Sequence, residues 1–439
     1  MKSITPREGE NILEGGVFMR KLGVLLLVAL FAFTIVTAEK LVIYHWWTAG
    51  GEKQAINKLF EMFKEKYPGM EIVENPIVGG GGTTLRTVLM GLLAAGMPPD
   101  TFQSLSGADL KTYVDGGYLQ PVDRIWEEQE LDEYFPPIMK KMVTFNGHTY
   151  AIPMSIHRAN WLFYNKKLFD QLGLKPPKNV DELLAVCKKI KEIRPDLWPI
   201  VLGTRDKFMA VFLFDAVLLS VGGPDVYEKY YTGQLDVLHD PTIRKAFEYL
   251  AKLVPYIYPY HSALTWDQSL GKKDWVMSVI GDFAVGYMMA VGKKYGVDWD
   301  AVAFPSNPNT FLMIVDTFTL PKKAKDKDAA VKWLKFISEP NPEKEFTILK
   351  GSIAPHKSVP ADVYPDEIRR IDVRDFRNAR IVPSSIHGVL APEAFLSEYQ
   401  DILINFLYSP NVDRVLRQIN DAMEFYNVKE NSEWYWATK

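Results

Sequence analysis

Between Lys40 and Gln103 the chain alternates extended and helical patterning, and that alternation confines it to an α/β architecture. Lys40-Leu-Val-Ile-Tyr44 is a short strand-like run, ended by His45-Trp46-Trp47-Thr48-Ala49-Gly50-Gly51. The EKQAINKLFEMFKEKY that follows places Ile56, Leu59, Phe60 and Phe63 on one helical face, and Pro68-Gly69 stops it. Met70 to Val73 reads as a second strand, Gly79 to Gly82 as a flexible loop, and Thr83 onward as helix. Met97-Pro-Pro-Asp-Thr-Phe-Gln103 leaves that helix and enters a third strand. Consecutive strands joined by helices require a sheet with crossover connections.

The pattern shifts near 148–165. His148 to Pro153 is β-like, NWLFYNKKLF passes from strand to helix, and Asn179 caps a helix over VDELLAVCKKIKE. A mostly helical stretch is expected from about 205 to 300. Ala301 to Pro321 is extended again, centred on Phe311-Leu-Met-Ile-Val-Asp316-Thr-Phe-Thr-Leu-Pro321, and a mostly helical tail closes the chain. We read two lobes, the chain crossing between them near 153 and again between about 303 and 350. The expected N-terminal lobe is 39–152 plus about 311–347, and the C-terminal lobe 153–310 plus about 348–439.

Leu22 to Val36 is fifteen residues without a charge, preceded by Arg20-Lys21 and followed by small residues suited to cleavage after Ala38. That is the layout of a secretory signal peptide over 1–38, with Met19 an alternative start. The run is shorter than the ~20 apolar residues of a spanning helix, and no later segment is expected to reach that length. With no cysteine near the cleavage site, a lipid anchor is excluded. The expected product is exported, to the periplasm or the outer face of the cytoplasmic membrane.

Composition narrows the function. A net charge of -3 offers no basic face for nucleic acid. The single cysteine, Cys187, rules out a redox pair and a thiolate zinc site, and its helical context reads as a small buried hydrophobe. The seven histidines form no metal-ligand pair, and G-x-S-x-G, Walker A and post-strand G-x-G-x-x-G motifs are absent. No catalytic residue, metal or cofactor is expected. Gly79-Gly-Gly-Gly-Thr-Thr84 lacks the lysine of a phosphate cradle and reads as a linker. Aromatic residues reach 13%, with 11 Trp and 21 Tyr, enough for stacking surfaces as well as a core.

Trp46-Trp47 after the first strand, Pro98-Pro-Asp-Thr-Phe-Gln103, Ile156-His-Arg158 with Asn160, Thr265-Trp266, Gly281-Asp282, Asp316-Thr-Phe, Leu349-Lys-Gly-Ser-Ile-Ala354, and His387-Gly388 with Ala391-Pro-Glu393 stand in a telling order. In that order and spacing the chain resembles the extracellular solute-binding proteins of ABC sugar importers. It resembles their large two-lobed class that includes maltose-binding protein, and is most similar to the glucose/galactose-binding proteins of thermophilic bacteria. The resemblance implies an α/β, two-lobed periplasmic binding protein of class II topology with a hinge between the lobes. It implies a non-enzymatic monomer that carries a small carbohydrate or polyol to membrane permease subunits. The alternative from the residues alone is a secreted glycosidase using a cleft carboxylate pair.

By resemblance the ligand contacts are Trp46, Trp47, Glu52, Gln103, His157, Trp266, Asp316, Lys350 and His387, with Phe283 at a further pocket position. The chemistry suits a pyranose, whose C–H faces meet aromatic rings and whose hydroxyl rim meets planar polar groups. Adjacent residues after a strand point in different directions, so one of Trp46 and Trp47 can be core. His157 reads equally as a structural histidine, and Lys350 by sequence alone as a solvated one. Asp316 lies in so apolar a run that its carboxylate must be paired or hydrogen-bonded. Two positions depart from the glucose/galactose-binding pattern. Leu105 stands where a histidine is expected, and Phe283 where a tryptophan is expected. Glucose is thereby in doubt, while another hexose, a pentose, a disaccharide or a cyclitol such as inositol fits.

Overall fold

The computed structural model describes residues 39–79, 82–306 and 309–437. The segment read as a signal peptide, 1–38, lies outside the described residues, as do Gly80 and Gly81 of the glycine loop.

The predicted alternation is present. Strands β1 (Lys40–His45), β2 (Glu71–Pro76) and β3 (Thr101–Leu105) are joined by the helices Gly50–Lys66 and Thr83–Ala94. β1 lies between β2 and β3 and is parallel to both. Its inward residues Leu41, Ile43 and His45 are buried at every second position, the period of a pleated strand. The helix Gly50–Lys66 buries Ile56, Leu59, Phe60 and Phe63 and ends where Pro68-Gly69 was expected to stop it. Asp100 fixes the entry to β3, accepting the amide of Val42 at 2.8 Å and that of Asp326 at 2.8 Å.

A short hairpin, β4 (Thr144–Phe145) and β5 (His148–Thr149), leads to β6 (Ala151–Arg158) and β7 (Trp161–Tyr164). The stretch expected to be mostly helical also contains a strand, β8 (Met277–Ile280), and β9 (Asp300–Ala303) opens the stretch expected to be extended. They flank β7 antiparallel in a three-stranded sheet. Val-Met-Ser-Val-Ile is a short apolar run, which periodicity does not distinguish from buried helix.

β10 (Thr310–Thr319) organises the larger sheet. One edge takes β11 (Arg380–Pro383) parallel at Thr310–Met313 and β3 antiparallel at Asp316–Thr319; the other takes β6 antiparallel. All ten residues of β10 are buried. The β6 register shifts between Asp316 and Thr317, and such an irregularity re-aims the side chains beside it.

One expectation is corrected. The helix Phe208–Tyr231, 24 residues, is long and apolar enough to cross a membrane. It is a core helix: Phe208 to Leu219 are all buried, and Gly223 (φ 73°) and Pro224 break it. Buried Asp215 within it accepts hydrogen bonds from Tyr227 (2.7 Å), Tyr231 (2.5 Å) and Ser385 (3.2 Å). Burial raises that carboxyl to about 7. Asn179 caps the helix Val180–Ile193 through the amide of Glu182, and Cys187 on that helix is fully buried, its thiol pushed up by burial.

Candidate functional site

The carboxyl end of β3, the loop after β1, the middle of β10 and the helix starts at Trp266 and Phe283 converge on a cavity of about 740 Å³. In α/β sheets ligands gather at such strand ends. Of the ten predicted residues, the cavity wall contains Trp46, Glu52, His157, Trp266, Phe283, Asp316, Lys350 and His387. Trp47 and Gln103 are placed elsewhere. The Trp47 indole is fully buried against Phe346 and Phe318, ring centroids 4.7 and 5.8 Å away. Gln103 lies buried behind the wall, where its Nε2 donates to Asp316 Oδ1 at 3.1 Å and its Oε1 accepts the Trp46 amide at 3.1 Å. It positions two wall residues without lining the cavity.

The aromatic part of the wall is built around Phe283. Trp266 stands edge-on to it, centroids 5.1 Å apart, and also edge-on to Tyr287 at 5.5 Å. Trp46 reaches the cavity across Gly82, whose φ of +96° suits glycine and where a Cβ would meet the indole at 2.9 Å.

The polar part is a buried chain of charge. His157 bridges Asp282, through Nδ1, and Asp316, through Nε2 at 3.2 Å. Asp316 Oδ2 also accepts the Ser155 hydroxyl at 2.8 Å. Burial works to raise Asp316, but the His157 hydrogen bond and the charges of Lys350 and His157 hold it below the usual carboxylate range. Burial and Lys350 press His157 down, yet its two carboxylates prevail and raise it, which favours an imidazolium donating from both nitrogens. Lys350 donates to Glu52 at 2.8 Å and lies 5.6 Å from the Phe283 ring centroid. Burial opposes its charge, and Glu52 and Asp316 maintain it.

His387 differs from these. Its backbone is left-handed (φ 61°, ψ 20°), unusual for a residue with a side chain. Burial first, then the Arg86 charge, push its imidazole down to about 3, so the ring is neutral. Among the described residues no protein group hydrogen-bonds its ring nitrogens, and Phe208 packs edge-on at 4.6 Å.

Arg205, Asp206, Lys207, Phe208, Ser397 and Gln400 also line the wall without having been foreseen, and so do Gly79, Thr83 and Thr84 of the segment read as a linker. Asp206 accepts the Trp266 amide at 2.9 Å. Arg205 to Phe208 lead into the helix Phe208–Tyr231, Ser397 and Gln400 lie within the helix Glu393–Tyr408, and their types carry no local motif. Leu105, flagged only as a departure, also lines the cavity.

A family model described as bacterial extracellular solute-binding protein matches residues 49–343. An uncharacterized ABC transporter extracellular-binding protein of Pyrococcus horikoshii is 41% identical over 393 residues, covering 88% of this chain and 88% of its own. A probable sugar-binding periplasmic protein of Mesorhizobium japonicum is 29% identical over 410 residues, 89% of this chain and 96% of its own. Among solved structures, the bacterial solute receptor AcbH, with its exclusive preference for β-D-galactopyranose, aligns with a TM-score of 0.78 at 20% identity, covering 89% of this chain and 99% of that one. At that identity the likeness is one of fold.

Proposed function

Because the chain belongs to the bacterial extracellular solute-binding proteins, we propose that its cavity captures a small carbohydrate and that the loaded protein delivers it to membrane permease subunits. The protein is the extracytoplasmic binding component of an ABC sugar transporter, not an enzyme, and its fold is two-lobed. The glycosidase alternative falls with that family membership. The proposed ligand is a monosaccharide or a cyclitol such as inositol, or a disaccharide. The reading rests on one observation. Indole and phenyl rings share a single cavity wall with buried, already oriented charged groups at Asp316, His157 and Lys350, the last paired with the half-buried Glu52. Rings cover C–H faces, and charge-assisted partners hold hydroxyls.

We further take 39–152 plus about 311–347 and 153–310 plus about 348–439 as the lobes of a monomer. The paired passes β6 and β10 would then be the hinge about which it closes. A thermal-shift and calorimetric screen over monosaccharides, disaccharides and polyols tests the function. A specific ligand raises the melting temperature by mass action, and oligosaccharides incubated with the protein emerge uncleaved. A screen with no saturable response sinks the proposal.

Ligand choice has its own test. Leu105 faces Asp316 in the β3–β10 register, and Phe283 touches both Trp266 and His157. Leu105→His with Phe283→Trp adds an imidazole and an indole N–H at these places. The double variant is expected to shift preference toward glucose or galactose. It is also expected to weaken the native ligand, which lacks a partner for the added groups. An unchanged rank order in a competition series over hexoses, pentoses, disaccharides and inositols would show that these positions do not set specificity.

A further inference from the structure

Behind the residues that line the cavity lies Arg86 on the helix Thr83–Ala94. Its guanidinium is almost fully buried, and each of its three nitrogens has a partner. Nε donates to Asp109 at 2.6 Å, Nη1 to Glu393 at 3.0 Å and Nη2 to the backbone carbonyl of His387 at 2.9 Å. Asp109 is itself fixed, accepting the Leu105 amide at 2.8 Å. On the other side of His387, the Ser385 amide donates to Tyr227 at 2.8 Å, within the hydrogen-bonded group around Asp215. The turn is therefore gripped before and at His387, by segments some 150 and 300 residues away in sequence.

We propose that Arg86 is a positioning residue for ligand capture, holding the His387 main chain in its left-handed turn so that the imidazole faces the cavity. The inference rests on the reading of the cavity as the sugar site. A non-glycine residue in this conformation persists only where its surroundings over-determine it. Two observations say what the strain achieves: His387 is on the cavity wall, and its ring nitrogens have no protein partner among the described residues. Such a ring can donate to one ligand hydroxyl or accept from it. The charged groups that act on the ring are Arg86, Asp316, Lys350 and His157, with Asp109 and Glu393 behind Arg86. Burial opposes the charge of Arg86, and Glu393 and Asp109 more than restore it. A planar fork is needed, because an ammonium cannot serve three acceptors held at these separate positions.

The test uses the full chain with labelled histidines. In the wild type the His387 imidazole stays neutral from pH 8 to pH 5. In Arg86→Lys, which keeps the buried charge and hence the fold, the turn relaxes. The ring then enters water and titrates near the ordinary histidine value of about 6.5. Arg86→Met, which also removes the neighbouring cation, moves the titration the same way, and Arg86→Lys decides the matter where Arg86→Met does not fold. Calorimetry with D-glucose, D-galactose, D-xylose, maltose and myo-inositol supplies the second readout. Whichever of these the wild type binds is expected to lose at least tenfold in affinity in Arg86→Lys. A variant that melts earlier but keeps the His387 titration and the affinity shows Arg86 to be structural and overturns the proposal. Should the wild type bind none of the panel, it is the function reading that fails, while the titration still decides the role of Arg86.

Discussion

Trp266→Ala is expected to bring sugar binding close to nothing while the fold survives. An indole stacked on a ligand face contributes area that a methyl group cannot replace. Such anchors lose about 2 kcal/mol or more on truncation, roughly 30-fold in affinity. The fold has little reason to suffer. The helix Trp266–Gly271 is started by a capping box between Thr265 and Gln268, and the Trp266 amide keeps its bond to Asp206 whatever the side chain. The indole itself is only half-buried, edge-on to Phe283 and Tyr287. Calorimetry against the ligand found by screening, with circular dichroism as the control, checks both halves. Wild-type affinity in the variant would remove Trp266 from the site.

What the sequence could reveal divides along physical lines. Periodicity exposed the β1 to β3 alternation and the helix faces, because burial there repeats along the chain. It could not expose β8, whose Met277-Ser-Val-Ile280 lacks alternation, nor the core character of Phe208–Tyr231, which depends on what packs around it. The pair Trp46-Trp47 was legible as a pair and ambiguous as individuals. Successive side chains point to opposite sides, and only the positions of Phe318 and Phe346 assign Trp47 to the core. Gln103 was found as a polar residue at a strand end, yet its geometry makes it a support for Asp316 and Trp46. Arg86 was invisible for the same reason that it is informative. Its partners at Asp109, His387 and Glu393 meet only through the tertiary fold, and a lone arginine on an amphipathic helix reads as a solvated one.

Asp316→Asn isolates the charge at the centre of the wall. The ionised carboxylate already accepts from Gln103, Ser155 and His157, and an ionised acceptor makes hydrogen bonds about twice as strong as a neutral one. Asn keeps the outline and replaces one acceptor by a donor. With its NH2 in the Oδ2 place it confronts the Ser155 hydroxyl and the His157 ring. With the NH2 in the Oδ1 place it confronts the Gln103 amide, which cannot simply flip because its other end holds the Trp46 N–H. Either orientation disturbs the wall, so the expected loss of ligand affinity is about 1.5–3 kcal/mol, roughly 10- to 150-fold. A pH series supplies an independent check. The Asp316 carboxyl titrates below its unfolded value, so its stabilisation is complete above about pH 4 and is lost as the pH falls through the depressed value. The ligand-free wild type should therefore lose stability on acidification below pH 4 more steeply than Asp316→Asn. His157 has the opposite sign. Its raised value makes its contribution complete below about pH 6.5 and lost as the pH rises through the folded value, and the variant, with one carboxylate fewer beside the ring, should show that loss at lower pH. An Asn variant that binds as tightly as the wild type but melts earlier would make Asp316 a structural acid of the β6–β10 pairing, and its place among the ligand contacts would be withdrawn.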